Sequence, residues 1–329
     1  MFLRLGNIVS RYWWLTILIW LGIVAGLRLV APSWDDITRD GDLEFLPTEM
    51  PSAIGERLKL AAFPENRANS QIVLIFSRDR EPLMLADLKT SDRFASRFHN
   101  HLAVRLASLD DTLASSLEQL DEALQLDPEN AEAFHNRAIV RSRMGQQDEA
   151  QADREAAWTI DPRLRSMPEQ FVPLTDTQLP IVDVWTRHHT VVGSKMRSVD
   201  KQAQLIVLHL DTEFMAVENV DALELVKQEV ASQRNDLQGS EPDGLELHIS
   251  GSAAIGGDML QAASESIKNT ELYTLILVVA ILLVVYRAPL IVIVPLVTIG
   301  VSLSVSINLL SMLADLVGTP GFDWWMFKV

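Results

Sequence analysis

Seven histidines are the first residues to weigh for chemistry, because imidazole both ligates metals and carries protons near neutral pH. His99-Asn100-His101 and His188-His189 stand closest together. Neither pair has the i, i+4 spacing that puts two imidazoles on one helical face, and no acidic pair beside them completes a metal site. Ser252, in Gly251-Ser252-Ala253-Ala254, lacks the Gly-x-Ser-x-Gly elbow of a hydrolase nucleophile and reads as the start of a helix. Gly256-Gly257 is followed by no Gly-Lys-Ser/Thr, so it is not a phosphate loop. The chain has no cysteine, which removes disulfides, zinc fingers and thiol nucleophiles. The sequence assigns no catalytic, cofactor-binding or metal-binding residue, and neither an enzyme activity nor a cofactor is expected.

Attention therefore passes to the elements. Of 329 residues 48% are apolar and 22% charged, and 28 Lys and Arg stand against 44 Asp and Glu. The resulting charge of -16 repels nucleic-acid phosphates, so no nucleic-acid partner is expected. A mean hydropathy of +0.13 with so many charges requires the two kinds of residue to be segregated along the chain.

Three apolar stretches carry that segregation. The first follows Arg4, Arg11, Tyr12, Trp13 and Trp14 and runs to Ala31, with Arg28 near its far end, where a long stem can snorkel to headgroups. About 20 residues at helical rise cross the hydrocarbon. A cleaved signal peptide is the alternative, but the stretch is long for one and no small-x-small site precedes Pro32. The second runs from Leu272 to Tyr286, breaks at Arg287-Ala288-Pro289, and the third resumes from Leu290 to Ala314. The second is short for a span and is expected to continue outward as a helix through Glu265–Glu271. Pro289 suits the first turn of the next helix, and Pro295 offers a kink. The basic residues at Arg4, Arg11 and Arg287 place both of their ends in the cytoplasm, and residues 32–271 outside. With +3 on residues 1–31 and no net charge on 272–329, that external segment carries -19. Inside the spans Arg28, at an edge, is the one ionisable residue, so the sequence shows no proton relay.

The external segment reads as strand, turn and helix at 71–76 and from about Ala86, then strand at Ala203–Leu210, helix from about Val217 to Leu237, and strand at Leu245–Ser250. This is the rhythm of a split βαβ sandwich, with Leu205, Val207, Leu247 and Ile249 expected to face the helices. Between the halves, Pro128 and Pro162 end similar segments 34 residues apart, the tetratricopeptide period. Phe134, Ala138, Gly145, Ala150, Ala157 and Pro162 fit that repeat, whereas Arg137, Arg141 and Arg154 stand where it has packing residues. The preceding copy keeps only its second half, with Leu120, Ala123 and Pro128. About three stacked repeats make an independent solenoid, so a helical hairpin packed on the host domain is expected.

Gly251-Ser-Ala-Ala-Ile-Gly-Gly-Asp258, Ser264-Glu-Ser-Ile-Lys-Asn-Thr-Glu271, Val285-Tyr-Arg-Ala-Pro289 and Pro295-Leu-Val-Thr-Ile299, together with Phe45-Leu-Pro47 and Pro51-Ser52, resemble in order and spacing the MMPL-type (mycobacterial membrane protein large) branch of the resistance-nodulation-division exporters. The resemblance covers residues 1 to about 90 and 180 to 314, the tetratricopeptide-like part looking like an insertion. It implies a proton-driven exporter of lipidic or hydrophobic substrates, with a porter domain inserted after its first span. In that family the proton relay lies in a fourth span, which this sequence does not reach, so no relay residue is transferred and a truncated N-terminal portion is expected.

The expected fold is thus an α-helical membrane protein with an α+β extracytoplasmic lobe. Residues 1–31, 272–286 and 290–314 are the transmembrane helices, 32–112 and 165–271 the porter-like domain, 113–164 the helical insertion and 315–329 an interfacial tail. The expected partners are membrane lipids, a hydrophobic or lipidic substrate and a protein partner at residues 113–164. A membrane-anchored interaction protein, binding through that insertion, is the alternative.

Overall fold

The computed structural model describes residues 11–32, 49–62, 68–108, 112–167, 169–173, 179–236, 244–287 and 289–317. The expectations placed on Arg4, on Phe45-Leu-Pro47 and on the 315–329 tail lie wholly or largely outside them. Two compact units emerge, one drawn from residues 11–32 and 263–317 and the other from 49–262.

The second unit is built on four strands, β1 (Ser70–Ser77), β2 (Ile181–Trp185), β3 (Ala203–Leu210) and β4 (Glu246–Ser250), in the spatial order β2-β3-β1-β4 with every neighbouring pair antiparallel. Helix α1 (Trp13–Val30) belongs to the other unit, and α2 (Pro51–Ala62) opens this one. Helix α3 (Leu85–Ala107) follows β1, and α7 (Glu218–Asp236) follows β3. Between α3 and β2 lie α4 (Leu113–Leu126), α5 (Ala131–Arg143), α6 (Gln147–Ile160) and a 3-10 turn at Pro162–Ser166. Without α4–α6 the order is βαββαβ, the split βαβ arrangement.

Strand β1 alternates strictly, with Ile72, Leu74 and Phe76 buried and Gln71, Val73 and Ile75 half-buried. That alternation puts one face of the sheet on the helices, and Phe94, Phe98 and Leu102 of α3 meet it at helical spacing. The register pairs Ile72 with Leu208 and Leu74 with Ile206. The core face of β3 is therefore Ile206, Leu208 and Leu210, not Leu205 and Val207 as the alternation alone suggested. In an apolar run such as Leu205-Ile-Val-Leu208, period 2 cannot select a phase, and only the pairing with β1 does so. Leu247 and Ile249 do pack against the core. Strand β2 went unseen because Asp183 interrupts a five-residue run.

In the other unit, α8 (Ser252–Tyr286, counted from its start in the lobe) and α9 (Pro289–Val317) are long and apolar enough to cross a membrane. Helix α8 has 35 residues, about 52 Å at helical rise, and so includes Glu265–Glu271, where a helix was expected to continue. Pro289 opens α9, where its missing N–H costs nothing, and Arg287 turns the hairpin at a positive φ of 50°. Helix α9 continues through Pro295. Helix α1 packs against α9, and Ser311 Oγ donates to the carbonyl of Pro32 at 2.6 Å.

Candidate functional site

Four places in the described residues have enough built structure to carry function: the docking face of α3, the corner between β4 and α8, and two concavities.

Helix α3 has two working faces. One is the apolar face against the sheet; the other is a polar ladder that receives α4 and α5. Ser96 Oγ donates to the carbonyl of Ala123 at 2.7 Å and accepts from Asn130 Nδ2 at 2.9 Å. Asn136 Nδ2 donates to Asn100 Oδ1 at 2.9 Å, while the same amide pairs with the backbone of Val172 in both directions. Ser116 Oγ donates to the carbonyl of Ala103 at 2.7 Å. All five of these polar side chains are buried, so each bond also avoids the cost of an orphaned polar group. Around the ladder, Ala103, Ala107, Leu120, Ala123, Leu124, Ala133 and Val140 form a second small core.

Helices α3 and α4 pack as one pair and α5 and α6 as the next, and α6 (Gln147–Ile160) begins and ends 34 residues after α4 (Leu113–Leu126). Small residues at Ala123, Ala133, Ala138, Ala150 and Ala157 are fully buried where the helices approach. Two of the three arginines that stood in packing places, Arg137 and Arg141, are engaged: Asp153, almost wholly buried between α5 and α6, accepts from Arg137 at 2.7 and 2.9 Å and from Arg141 at 2.8 Å. Arg137 also reaches Asp121 on α4. A buried carboxylate bridging two guanidiniums replaces apolar packing.

The β4–α8 corner is the stretch Gly251–Asp258. Gly251 has φ +108°, and a Cβ there would strike the backbone of Gln71 and Val73. Ser252 opens α8, and its Oγ accepts from the backbone N–H of Gln71 at 3.0 Å. Gly256 lets α8 cross the backbone of Phe214, and Gly257 that of Asn219. Asn219 is itself buried and donates to the carbonyls of Glu213 and Phe214. Ser252 is thus a positioning residue that ties the start of α8 to β1.

Of the concavities, one of about 920 Å³ opens in the sheet lobe beside Arg105, Asp183, Trp185 and His209. Trp185 Nε1 donates to Asp183 at 2.6 Å, and Arg105 is held by the carbonyl of Ile181 and the carboxylate of Asp211. Burial pushes His209 below its ordinary value, against the pull of Asp183. Arg105 and Asp211 pair with one another, while Asp183 is held by the Trp185 indole and the Val184 backbone N–H. The other, about 620 Å³, is a groove between α8 and α9, polar at Ser266, Thr270 and Glu271 and apolar at Leu275, Val278 and Ile299. Its size fits a small ligand or an alkyl chain.

The histidines singled out by sequence are separated by the fold. His99 faces α4 and His101 faces the chain entering β2, while His188 meets Asp92 at 3.3 Å and His189 stacks near Trp185. Among the described residues no group of three His, Asp or Glu is placed to hold a metal ion. What the sequence reading missed is that His101 and His135 occupy equivalent places 34 residues apart, a signal present in the repeat itself.

The family model described as the MMPL family matches residues 108–325. That span takes in α4–α6, strands β2–β4 and the hairpin, and leaves out β1 and α3; the resemblance read from motifs skipped the helical segment. Over 317 residues, 96% of the chain, it is 24% identical to probable transport protein MmpL8 of Mycobacterium bovis, of which it covers 22%. Probable transport protein MmpL2 of Mycobacterium tuberculosis is 27% identical over 41% of the chain and 13% of that protein. A membrane protein of Streptomyces coelicolor, ActII-3, is 37% identical over 79 residues, 24% of the chain and 11% of its own length. The chain thus spans about a fifth or less of the length of these three relatives.

Proposed function

The chain belongs to the MMPL family, and from that premise we propose that it supplies spans and one external porter-type lobe of a membrane exporter of lipidic or hydrophobic substrates, driven in the complete transporter by the proton gradient. In this reading residues 1–31, 272–286 and 290–314 span the cytoplasmic membrane, and 32–271 lie outside it as a porter-like domain with the tetratricopeptide-like insertion at 113–164. The carrying observation is α8, one unbroken helix that begins at the Gly251 corner of the sheet and ends in an uncharged apolar stretch at Tyr286. Continuity of chain from the sheet into an apolar stretch long enough to cross a membrane is what a lobe inserted between two spans requires. The 620 Å³ groove, apolar with a polar end, suits an amphiphile.

Protease added to sealed right-side-out vesicles tests the topology. Cleavage within 32–271 is expected, and full protection of that segment would overturn it. The alternative, a membrane-anchored interaction protein, is weakened by the docking geometry, since the inner faces of α4 and α5 are occupied by α3. Charge reversal at the exposed Glu118, Asp148 and Glu149 separates the two: capture of a partner is lost under the alternative, and membrane assembly is unchanged under the exporter reading.

A further inference from the structure

Three imidazoles lie fully buried where the helical insertion and the returning chain meet α3 and α5, each with one ring nitrogen bonded and the other without a partner. His99 Nδ1 donates to Gln119 Oε1 on α4 at 2.7 Å, which leaves Nε2 bare. His135 Nε2 donates to the carbonyl of Gln170 at 2.9 Å, leaving Nδ1 bare. His101 differs in sign. Its Nε2 accepts from the backbone N–H of Leu179 at 2.9 Å, so that nitrogen must be unprotonated, and Nδ1 carries the proton. Leu179, 1% exposed, is the core residue from which the chain enters β2 after the whole helical excursion.

A proton arriving at His101 Nε2 meets an N–H instead of an acceptor, so the bond to Leu179 cannot survive it. We propose that His101 is an acid-operated latch, holding the chain that enters β2 against α3 while its imidazole is neutral and releasing it when the ring is protonated. Burial is the main cause that holds His101 down to about 4, and the nearby Arg105 guanidinium of α3 lowers it further. The charged groups bearing on its neighbour His99 are Glu122 of α4 and Asp183 of β2; both favour a proton there, and burial outweighs them. Acid therefore loads two buried rings on different sides of α3, one against α4 and one against the β2 approach. The bond at risk joins α3 to the chain entering β2, so the acid-labile part of the lobe is confined to the return segment and β2, whereas a proton on the bare Nε2 of His99 leaves its Nδ1 donation to Gln119 intact. The latch follows from the lobe's own geometry and does not depend on the transport reading.

Hydrogen exchange of the purified full chain in detergent micelles, corrected for intrinsic exchange rates, tests it. Protection of the Leu179 amide and of β2 is expected to fall about tenfold for each unit of pH between about 6.5 and 4, the window between free and buried imidazole. In His101→Gln, whose amide oxygen accepts from Leu179 without titrating, that fall is expected to flatten while protection at pH 7.5 stays near the parent's. Equal acid loss in parent and variant overturns the latch. Nitrogen-15 spectra of the histidine rings give a second, mutation-free arm: at pH 7.5 His101 must carry its proton on Nδ1 alone, and a proton on Nε2 overturns the proposal whatever the variant does.

Discussion

At the scale of single residues, charge is confined to partners chosen by position. Asp153 serves two arginines from inside the α5–α6 pair, so Asp153→Asn leaves Arg141 without its carboxylate and Arg137 with Asp121 alone. Removing one member of a buried ion pair costs about 3–5 kcal/mol, and partial exposure of both arginines brings the expected loss to roughly 2 kcal/mol. Urea unfolding followed by helical signal measures it, and an unchanged midpoint would show the bridge to be dispensable. Asp87 is a second case: burial opposes its charge, but hydrogen bonds from Arg78 and the Met84 amide and the Arg78 charge more than offset this and hold its carboxyl below the ordinary range. A depressed carboxyl stabilises the fold above its unfolded value of 3.8 and loses that contribution as pH falls through the folded value. His101 also stabilises in full above 6.5 and loses its contribution on the way down to about 4. The two windows follow one another, so thermal unfolding of the lobe should show stability declining first below pH 6.5 and again below pH 4. Asp87→Asn should remove the second decline and spare the first.

At the scale of elements, the pairing of β1 with β3 decides which side chains matter. Leu208→Ala should cost about 3 kcal/mol, as large-to-small changes in a packed core do, and the half-buried Leu205→Ala under about 1 kcal/mol. Equal costs would contradict the register. The β4–α8 corner gives a graded series. Ser252→Ala removes a single hydrogen bond to Gln71, worth about 1 kcal/mol, whereas Gly251→Ala adds backbone strain and a collision and should exceed about 2 kcal/mol. Gly256→Ala, aimed at the carbonyl of Phe214, belongs with the latter. Reversal of that order in denaturant midpoints would mean that the corner relaxes freely.

At the scale of the whole molecule, the two units differ in where their exposed apolar residues stand. On α8 and α9 they form dense runs, such as Leu275, Leu277, Val284, Val294 and Leu303, while in the 49–262 unit they are scattered around a buried core. An exposed apolar surface of that extent needs lipid or partner helices around it. Salt and carbonate washes of membranes are accordingly expected to leave the chain in the pellet, with release only by detergent; recovery in the wash would remove the basis for the spans.

The sequence by itself determined the hairpin, since runs without charge and a Pro at the first turn of α9 are local statements about solvent and backbone. It determined the β1, β3 and β4 strands and the 34-residue helical spacing for the same reason. The Gly251–Asp258 stretch was legible as a motif, but its meaning as a corner rests on Gln71 and Phe214, which lie far along the chain and are brought near only by folding. Tertiary structure alone decided the phase of β3, the existence of β2, the double use of α3 and the partners of His99 and His101. Each of these depends on which distant backbone arrives beside a side chain, and neither composition nor period encodes that arrival.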